Sequence, residues 1–593
     1  MRTVSAGNRG STDHLRSLKR LLSQRVSKES ARRRFRIAQL FAVQCVTAYW
    51  ELIQDSSGER WPVIQSPIPS PLRLSDELRS RAEELATAAV DLAPPAAGYL
   101  VASVYARMLP GDVRSALGAF YTPPALVARL LDQATAAGVD WSSCRVIDPA
   151  CGGGAFLAPV ADRMLKESPE TEVPRLRTSL AERLRGLEID PVAAWMAQVF
   201  LEATTLPLCR AVGERLPRLV GVADSVARTD VVPEYDLVIG NPPYGRTALP
   251  DSLRACYARV LYGHANLYGV FTDVALRLVR AGGVVAYVTP TSFLAGHYHK
   301  NLRMTITREA PPVSIDFVSS RTGVFDGVLQ ETLLAVYRKG IQRRPASVSF
   351  LTYLDENSLS AVATGVFAVP GASDAPWLVP RTADQGALVV AMTRMKSRLA
   401  DWGYSVSTGP LVWNRHKPQL RARKSVGCRP LVWAEAITAD GRFLFRASRR
   451  NHAPYFALRG RQDDWLVIRE PCVLLQRTTA KEQRRRLVAA RLPDSFVIRH
   501  GGVVVENHIN MLRRRADAAA IDADVLTAFL NSEAADTAFR CISGSVAVSA
   551  YELESLPLPR ADALGQLREL LTSGAPRERI EKECWKLYGI ERA

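Results

Sequence analysis

One stretch restricts the fold of this 593-residue chain more than any other. Arg145-Val-Ile-Asp148-Pro-Ala150-Cys151-Gly152-Gly153-Gly154 joins a short apolar run to three glycines, and a helical pattern continues through Val160 and Met164. A buried strand that turns through glycines into a helix is the opening unit of a doubly wound α/β sheet. Glycine lets the backbone approach a ligand closely at that turn. Three further apolar runs each end on a polar residue: Leu187-Glu188-Ile-Asp190, Val220-Gly-Val-Ala-Asp224 and Leu237-Val-Ile-Gly240-Asn241. In open α/β sheets the carboxyl ends of the strands line the ligand site. The order predicts a Rossmann-like sheet with Asp148, Glu188, Asp224 and Asn241 on one rim. Further strands are expected over residues 284–288, 314–318 and 331–337, with a helix over 264–278.

No Gly-Lys-Ser/Thr follows the glycines, so the loop is not a Walker phosphate loop. A nicotinamide dinucleotide fits the loop alone, but Asp148 would face its pyrophosphate. An acid there favours a ligand with positive charge nearby, and S-adenosylmethionine, with its sulfonium and ammonium, has that character. The fourth strand runs into Asn241-Pro242-Pro243-Tyr244. Two prolines fix φ and remove backbone donors, so the loop keeps one shape and leaves its carbonyls available. An amide oxygen beside a flat ring suits a planar ligand with an exocyclic amino group, although four residues also fit an ordinary turn. Upstream, Gly118-Ala-Phe-Tyr-Thr122-Pro-Pro124 reads as a helix start, with Thr122 as N-cap and Pro123 in the first helical position.

The remaining chain bounds the partners. Nine cysteines without a C-x-x-C pair argue against a zinc ribbon or a disulfide framework, and no metal site is expected. No run of 18 apolar residues occurs and no secretory leader is recognisable, which predicts a cytoplasmic protein without a membrane span. Net charge is +18 and segregated: residues 1–40 hold 11 Lys/Arg against 2 Asp/Glu, and residues 381–517 hold 27 against 11. Such blocks imply a polyanion surface. The expected organisation is a helical region over 1–114 with helices near 37–52 and 78–92, a catalytic domain over 115–345, a linker with a small β segment over 346–380, and a mixed α+β domain over 381–593 with a helical end. In the last, Trp413, Trp433, Tyr455 and Trp465 interleave with basic residues, and strands are predicted over 472–478 and 496–499. Arg415, Lys417, Arg421, Arg423, Arg477 and Lys481 are candidate contacts to double-stranded DNA.

Together, the Tyr-Thr-Pro-Pro, Asp-Pro-Ala-Cys-Gly-Gly-Gly and Asn-Pro-Pro-Tyr motifs, in that order, resemble the gamma-class adenine-N6 DNA methyltransferases of restriction–modification systems. Asn266-Leu-Tyr-Gly, Val505-Glu-Asn-His508 and Leu530-Asn-Ser532 also look like this family. The resemblance implies that Thr122, Asp148, Ala150, Cys151, Gly152 and Gly154 line the S-adenosylmethionine pocket. It implies that Glu188 binds the ribose, that Asp224 binds the cofactor adenine, and that Pro243 touches the cofactor. Asn241 and the Pro242 carbonyl would hold the target amine, with Tyr244 stacked on the extruded adenine and Phe325 on its other side. Ser225 departs from the bulky residue common at its position, which shifts packing to Phe271 or Ile189. The rival substrates are RNA and a protein glutamine. Residues 1–115 carry no nuclease constellation, so any restriction endonuclease is expected on a separate chain.

Overall fold

The computed structural model describes residues 7–54, 60–68, 73–318, 331–371, 374–479, 484–515, 521–542 and 547–591, the first ten of these by backbone alone. They form two compact units, residues 1–290 with 304–362, and residues 291–303 with 363–593.

The first unit is built on a nine-stranded sheet. Its strands are β1 (Val146–Asp148), β2 (Leu184–Glu188), β3 (Val220–Val222), β4 (Tyr235–Gly240), β5 (Val279–Pro290), β6 (Pro312–Val318), β7 (Thr332–Arg338), β8 (Ala346–Asp355) and β9 (Ser358–Phe367). They lie in the order β9-β8-β6-β7-β5-β4-β1-β2-β3. Strand β1 pairs in parallel with β2 on one side and β4 on the other, Val146 facing Leu184 and Leu237. The chain therefore winds outward through β3 and returns to β4, so the carboxyl ends of β1 and β4 meet where the strand order reverses. Ligands bind at such a switch point. Strand β7 is antiparallel to both neighbours, β5 and β6. Residues 346–380 were expected as a linker with a small β segment; the β part is larger than that, since β8 and β9 are ten-residue strands, and β8 extends the sheet in parallel with β6.

Helix Pro191–Val212 shows why the amino-terminal helices belong to this unit. Asp190 caps it, accepting from Val192 N at 3.0 Å, and Pro191 occupies its first turn. One side, with Ala194, Ala197 and Leu201, packs into the core of the sheet. The other side, with Trp195, Val199 and Phe200, packs against helices Ala31–Leu52 and Pro94–Met108 through Phe41, Tyr49 and Val101. Among the described residues it is the helix long and apolar enough to cross a bilayer, and 83% of its apolar window is buried within the fold. Its uniform apolarity comes from covering two cores at once.

The second unit holds a four-stranded antiparallel sheet, Tyr404–Thr408, Ile509–Arg514, Val473–Gln476 and Ala489–Arg491, and a five-stranded mixed sheet. Helices 523–530, 533–542, 565–572 and 577–587 pack on the first through Trp402, Phe529 and Leu567. The alternation Phe496-Val-Ile-Arg499 is not a strand but part of helix Asp494–His500. Pro493 precedes it and Gly501, at φ 62°, ends it, and these boundary residues outweigh an alternation only four residues long. Arg303 fastens segment 291–303 into this unit. It is fully buried, and donates to the carbonyls of Phe293, Gly296, Asp374 and Ala375 at 2.6–3.0 Å and to the Tyr551 hydroxyl at 2.9 Å. Replacement by leucine strands those acceptors, so Arg303→Leu should cost about 3–5 kcal/mol. Calorimetry should show this unit melting roughly 10 °C lower; an unchanged profile would remove Arg303 from that role.

Candidate active site

The loop after β1 arranges acids around a cavity. Asp148 is buried; its Oδ1 accepts from Ala150 N at 3.0 Å, while Oδ2 is buried without a partner. Glycine at position 240 leaves room for Asp148, because a Cβ there would lie 2.6 Å from Asp148 Oδ1 and push the carboxylate aside. Gly152, at φ 53°, turns the loop beneath Tyr121, whose ring would sit 2.6 Å from a Cβ. Its N–H donates to Glu188 Oε2 at 2.9 Å, tying the glycine loop to the tip of β2. Glu188 Oε1 accepts from Asp190 N at 2.9 Å, and Asp190 Oδ2 accepts from the Tyr105 hydroxyl at 2.7 Å.

Among the described residues these carboxylates gather without a cation. The cavity, about 380 Å³, is lined by Thr122, Asp148, Ala150, Cys151, Gly152, Glu188, Asp190, Asp224, Asn241 and Pro243, and among the described residues no Lys, Arg or His is in its lining. Burial pushes the Asp148 carboxyl up to about 8 and Glu188 up to about 7, and it raises Asp190 as well. Thr122 was expected to cap a helix. Instead helix Pro124–Ala136 starts beyond Pro123 with no side-chain cap, and the Thr122 hydroxyl is buried without a partner beside the cavity. An unpaired carboxylate oxygen and an unpaired hydroxyl, in a pocket of acids, fit a ligand with an ammonium group and a positive centre. Among the described residues no His/Cys/Asp/Glu group is arranged to hold a metal.

Asp224 sits exposed at the rim and uses Oδ1 to accept from Val226 N at 2.9 Å. Ser225, smaller than the expected residue, turns inward and donates to the Pro149 carbonyl at 2.6 Å. Ile189 and Phe271, the residues expected to pack against a ring in place of a bulkier neighbour of Asp224, both line the cavity. Of the remaining pocket candidates, Gly154 lies in the loop at φ 87°, packed against Ala197 of helix Pro191–Val212.

The loop after β4 is held from three sides. Asn241 Nδ2 donates to the Phe120 carbonyl at 3.0 Å, and the Tyr244 hydroxyl donates to Asn241 Oδ1 at 2.6 Å. The Tyr244 ring meets Tyr268 edge-on, with centroids 6.5 Å apart. Arg246–Thr247 pairs with Ala265–Asn266, and Asn266 accepts from Tyr268 N at 3.0 Å to cap helix Leu267–Leu278. The Asn266-Leu-Tyr-Gly stretch thus closes the loop. Pro242 is buried, and Pro243 faces the cavity beside Asn241. Phe325 lies outside the described residues.

In the second unit, Arg415, Lys417, Arg421 and Arg423 are all exposed within one short segment of 3-10 turns, the two-residue strand Leu420–Arg421 and loop, with Lys417 over the Trp413 ring and Arg421 donating to the Pro418 and Leu420 carbonyls at 2.6 and 2.9 Å. Arg477 differs: it is partly buried and donates to the Asn507 carbonyl at 3.1 Å, an internal bond. Lys481 lies outside the described residues.

The acid cluster has a stability signature. Raising the folded-state value of Asp148 from 3.8 to about 8 favours the fold at low pH and loses that advantage as pH climbs towards 8. Asp148→Asn should therefore be progressively more stable than the parent between pH 5 and pH 8, with the gap levelling off above about 8. Thermal melts across that range would show it; a pH-independent gap would mean that Asp148 ionises normally.

Comparison with known proteins fits this geometry. Residues 222–325 match the family model described as Eco57I restriction-modification methylase. The chain is 27% identical over 353 residues to the Type II methyltransferase M.PstI of Providencia stuartii, covering 58% of this chain and 68% of that protein. It is 25% identical over 479 residues to M.BsuBI of Bacillus subtilis, covering 76% of this chain and 89% of that one. The Type IIL restriction-modification enzyme MmeI, solved in complex with DNA, shares the fold with a TM-score of 0.56 at 13% identity, over 98% of this chain and 96% of that one. With its α/β sheet and acid-lined pocket, the chain is similar to the Type II methyltransferases of restriction–modification systems.

Proposed function

We propose that this chain is a DNA methyltransferase acting on the N6 amino group of an adenine rotated out of the duplex, and that cleavage belongs to a separately encoded endonuclease. The observation that carries the reading is Asn241-Pro-Pro-Tyr244 emerging from β4 at the switch point, with Asn241 and Pro243 on the cavity wall. In the pocket, Asp148 Oδ2 and the Thr122 hydroxyl receive the ammonium end of S-adenosylmethionine, and Ala150, Cys151 and Gly152 pack along it. Glu188 still has lone pairs for ribose hydroxyls beyond the two N–H groups it accepts. Asp224 receives the adenine amino group at the rim.

The cofactor supplies an electrophilic methyl group on a sulfonium. An aryl amine is a poor nucleophile because its lone pair is spread into the ring. Asn241 Oδ1 and the Pro242 carbonyl accept its two N–H bonds and draw the nitrogen towards tetrahedral geometry, localising the pair for in-line attack. Positioning supplies much of the rate, and no strong base is required, since the nitrogen becomes acidic only after transfer. The base reaches the loop by flipping, and stacking on Tyr244 and Phe325 helps to offset unstacking. The exposed cations of the 413–424 segment would hold the phosphate backbone, with Arg477 and Lys481 as further contacts.

Sequencing of DNA from cells expressing the chain should reveal N6-methyladenine at one short motif. Asn241→Ala, with an unchanged melting profile, should lose roughly 10²–10³ in turnover, the cost typical of an oriented polar group. Cytosine modification, or normal turnover by Asn241→Ala, would overturn the assignment. Alanine at Arg415, Lys417, Arg421 or Arg423 should weaken binding across all duplex sequences, each substitution lowering the salt slope by about 1. An unchanged slope would place the DNA elsewhere.

A further inference from the structure

The Asn241 amide is engaged at both ends. The Phe120 carbonyl takes the N–H, which fixes the orientation of the amide and turns Oδ1 towards Tyr244. That oxygen, on the reading above, is the acceptor the target amine needs. The Tyr244 hydroxyl already donates to it at 2.6 Å, from a partly buried ring steadied edge-on by Tyr268, whose own hydroxyl lies 3.2 Å from that of Tyr337. Burial raises the Tyr244 phenol well above its ordinary value, so it remains a proton donor across the neutral range.

The hydroxyl cannot keep this bond while the ring does its other work. A ring stacked on the base rides one ring thickness above the plane that contains both the amine and its acceptor. A hydroxyl donating at 2.6 Å to that acceptor lies close to the amine's own place. We propose that the Tyr244 hydroxyl is a surrogate donor that closes the amine acceptor and has to be displaced by the entering base. Tyr244 is then a positioning residue that sets an entry penalty, as well as a stacking ring. The inference rests on the adenine-N6 reading. In return, the device keeps the amide oxygen hydrogen-bonded, as partly buried acceptors need, when the loop holds no base.

A thermodynamic cycle makes the idea testable. The phenol's bond is lost whichever base enters, so deleting the hydroxyl lowers the penalty by the same factor for every base. The full-length protein and its Tyr244→Phe variant would be titrated with two duplexes carrying the motif found by sequencing. One has the target adenine; the other has purine, which lacks the 6-amino group. Tyr244→Phe should bind both about three- to tenfold more tightly, and by equal factors, as expected for a typical net hydrogen bond. In an Asn241→Ala background the same change should give no gain. Unchanged or weaker binding, a gain confined to one duplex, or a gain that survives Asn241→Ala would each overturn the proposal. If instead the parent methylates no adenine, the reading of the site has failed rather than the gate.

Discussion

Asp148 carries a carboxylate oxygen without a partner at the centre of the sheet, and much of the first unit is arranged around tolerating it. Its neighbours make no salt bridge to it: one oxygen accepts a backbone N–H from its own loop, and Glu188, another buried acid, stands nearby. A buried carboxylate in that condition costs free energy unless it is protonated or meets a cation. The fold supplies the rigidity that holds it there. Parallel pairing of β1 with β2 and β4 fixes its height, Gly240 leaves room for it, and the glycine loop is tied to β2 by the Gly152–Glu188 bond. Destabilisation of this kind is a usual companion of binding sites.

The strand tips were legible because they are local. Each combines a short apolar run with one polar residue, and the alternatives to a strand end are few. Asp148, Glu188 and Asn241 therefore fell on one rim as expected, and Asp224 beside them. What escaped was non-local or belonged to the backbone. The Phe120 carbonyl, 121 residues from Asn241, has no side-chain signature, and Tyr105 meets Asp190 across 85 residues. Threonine before proline usually caps a helix, but here the helix starts at Pro124, one residue beyond the expected Pro123, and leaves the Thr122 hydroxyl to the pocket.

Composition misled where it was averaged. Residues 346–380, rich in small residues and proline, looked like a linker with a small β segment, but their first part makes two long strands on the outer side of the sheet. Alternation over Phe496–Arg499 resembled a strand, whereas the stops on either side set a helix. Among the basic residues, the distinction between exposed Arg415 and internally bonded Arg477 depends on neighbours that no linear pattern displays.

Helix Pro191–Val212, apolar on every side, has a bearing on how the chain can be handled and how it can have diversified. The amino-terminal helices are its second wall, not an appendage that happens to precede the catalytic sheet. Trimming them away would uncover Trp195, Val199, Phe200 and Leu206 as one continuous greasy stripe, the kind of surface that drives self-association. A minimal methyltransferase cut from this chain would therefore be sticky rather than merely less stable. A fusion that replaced that wall with an unrelated domain would meet the same exposed stripe.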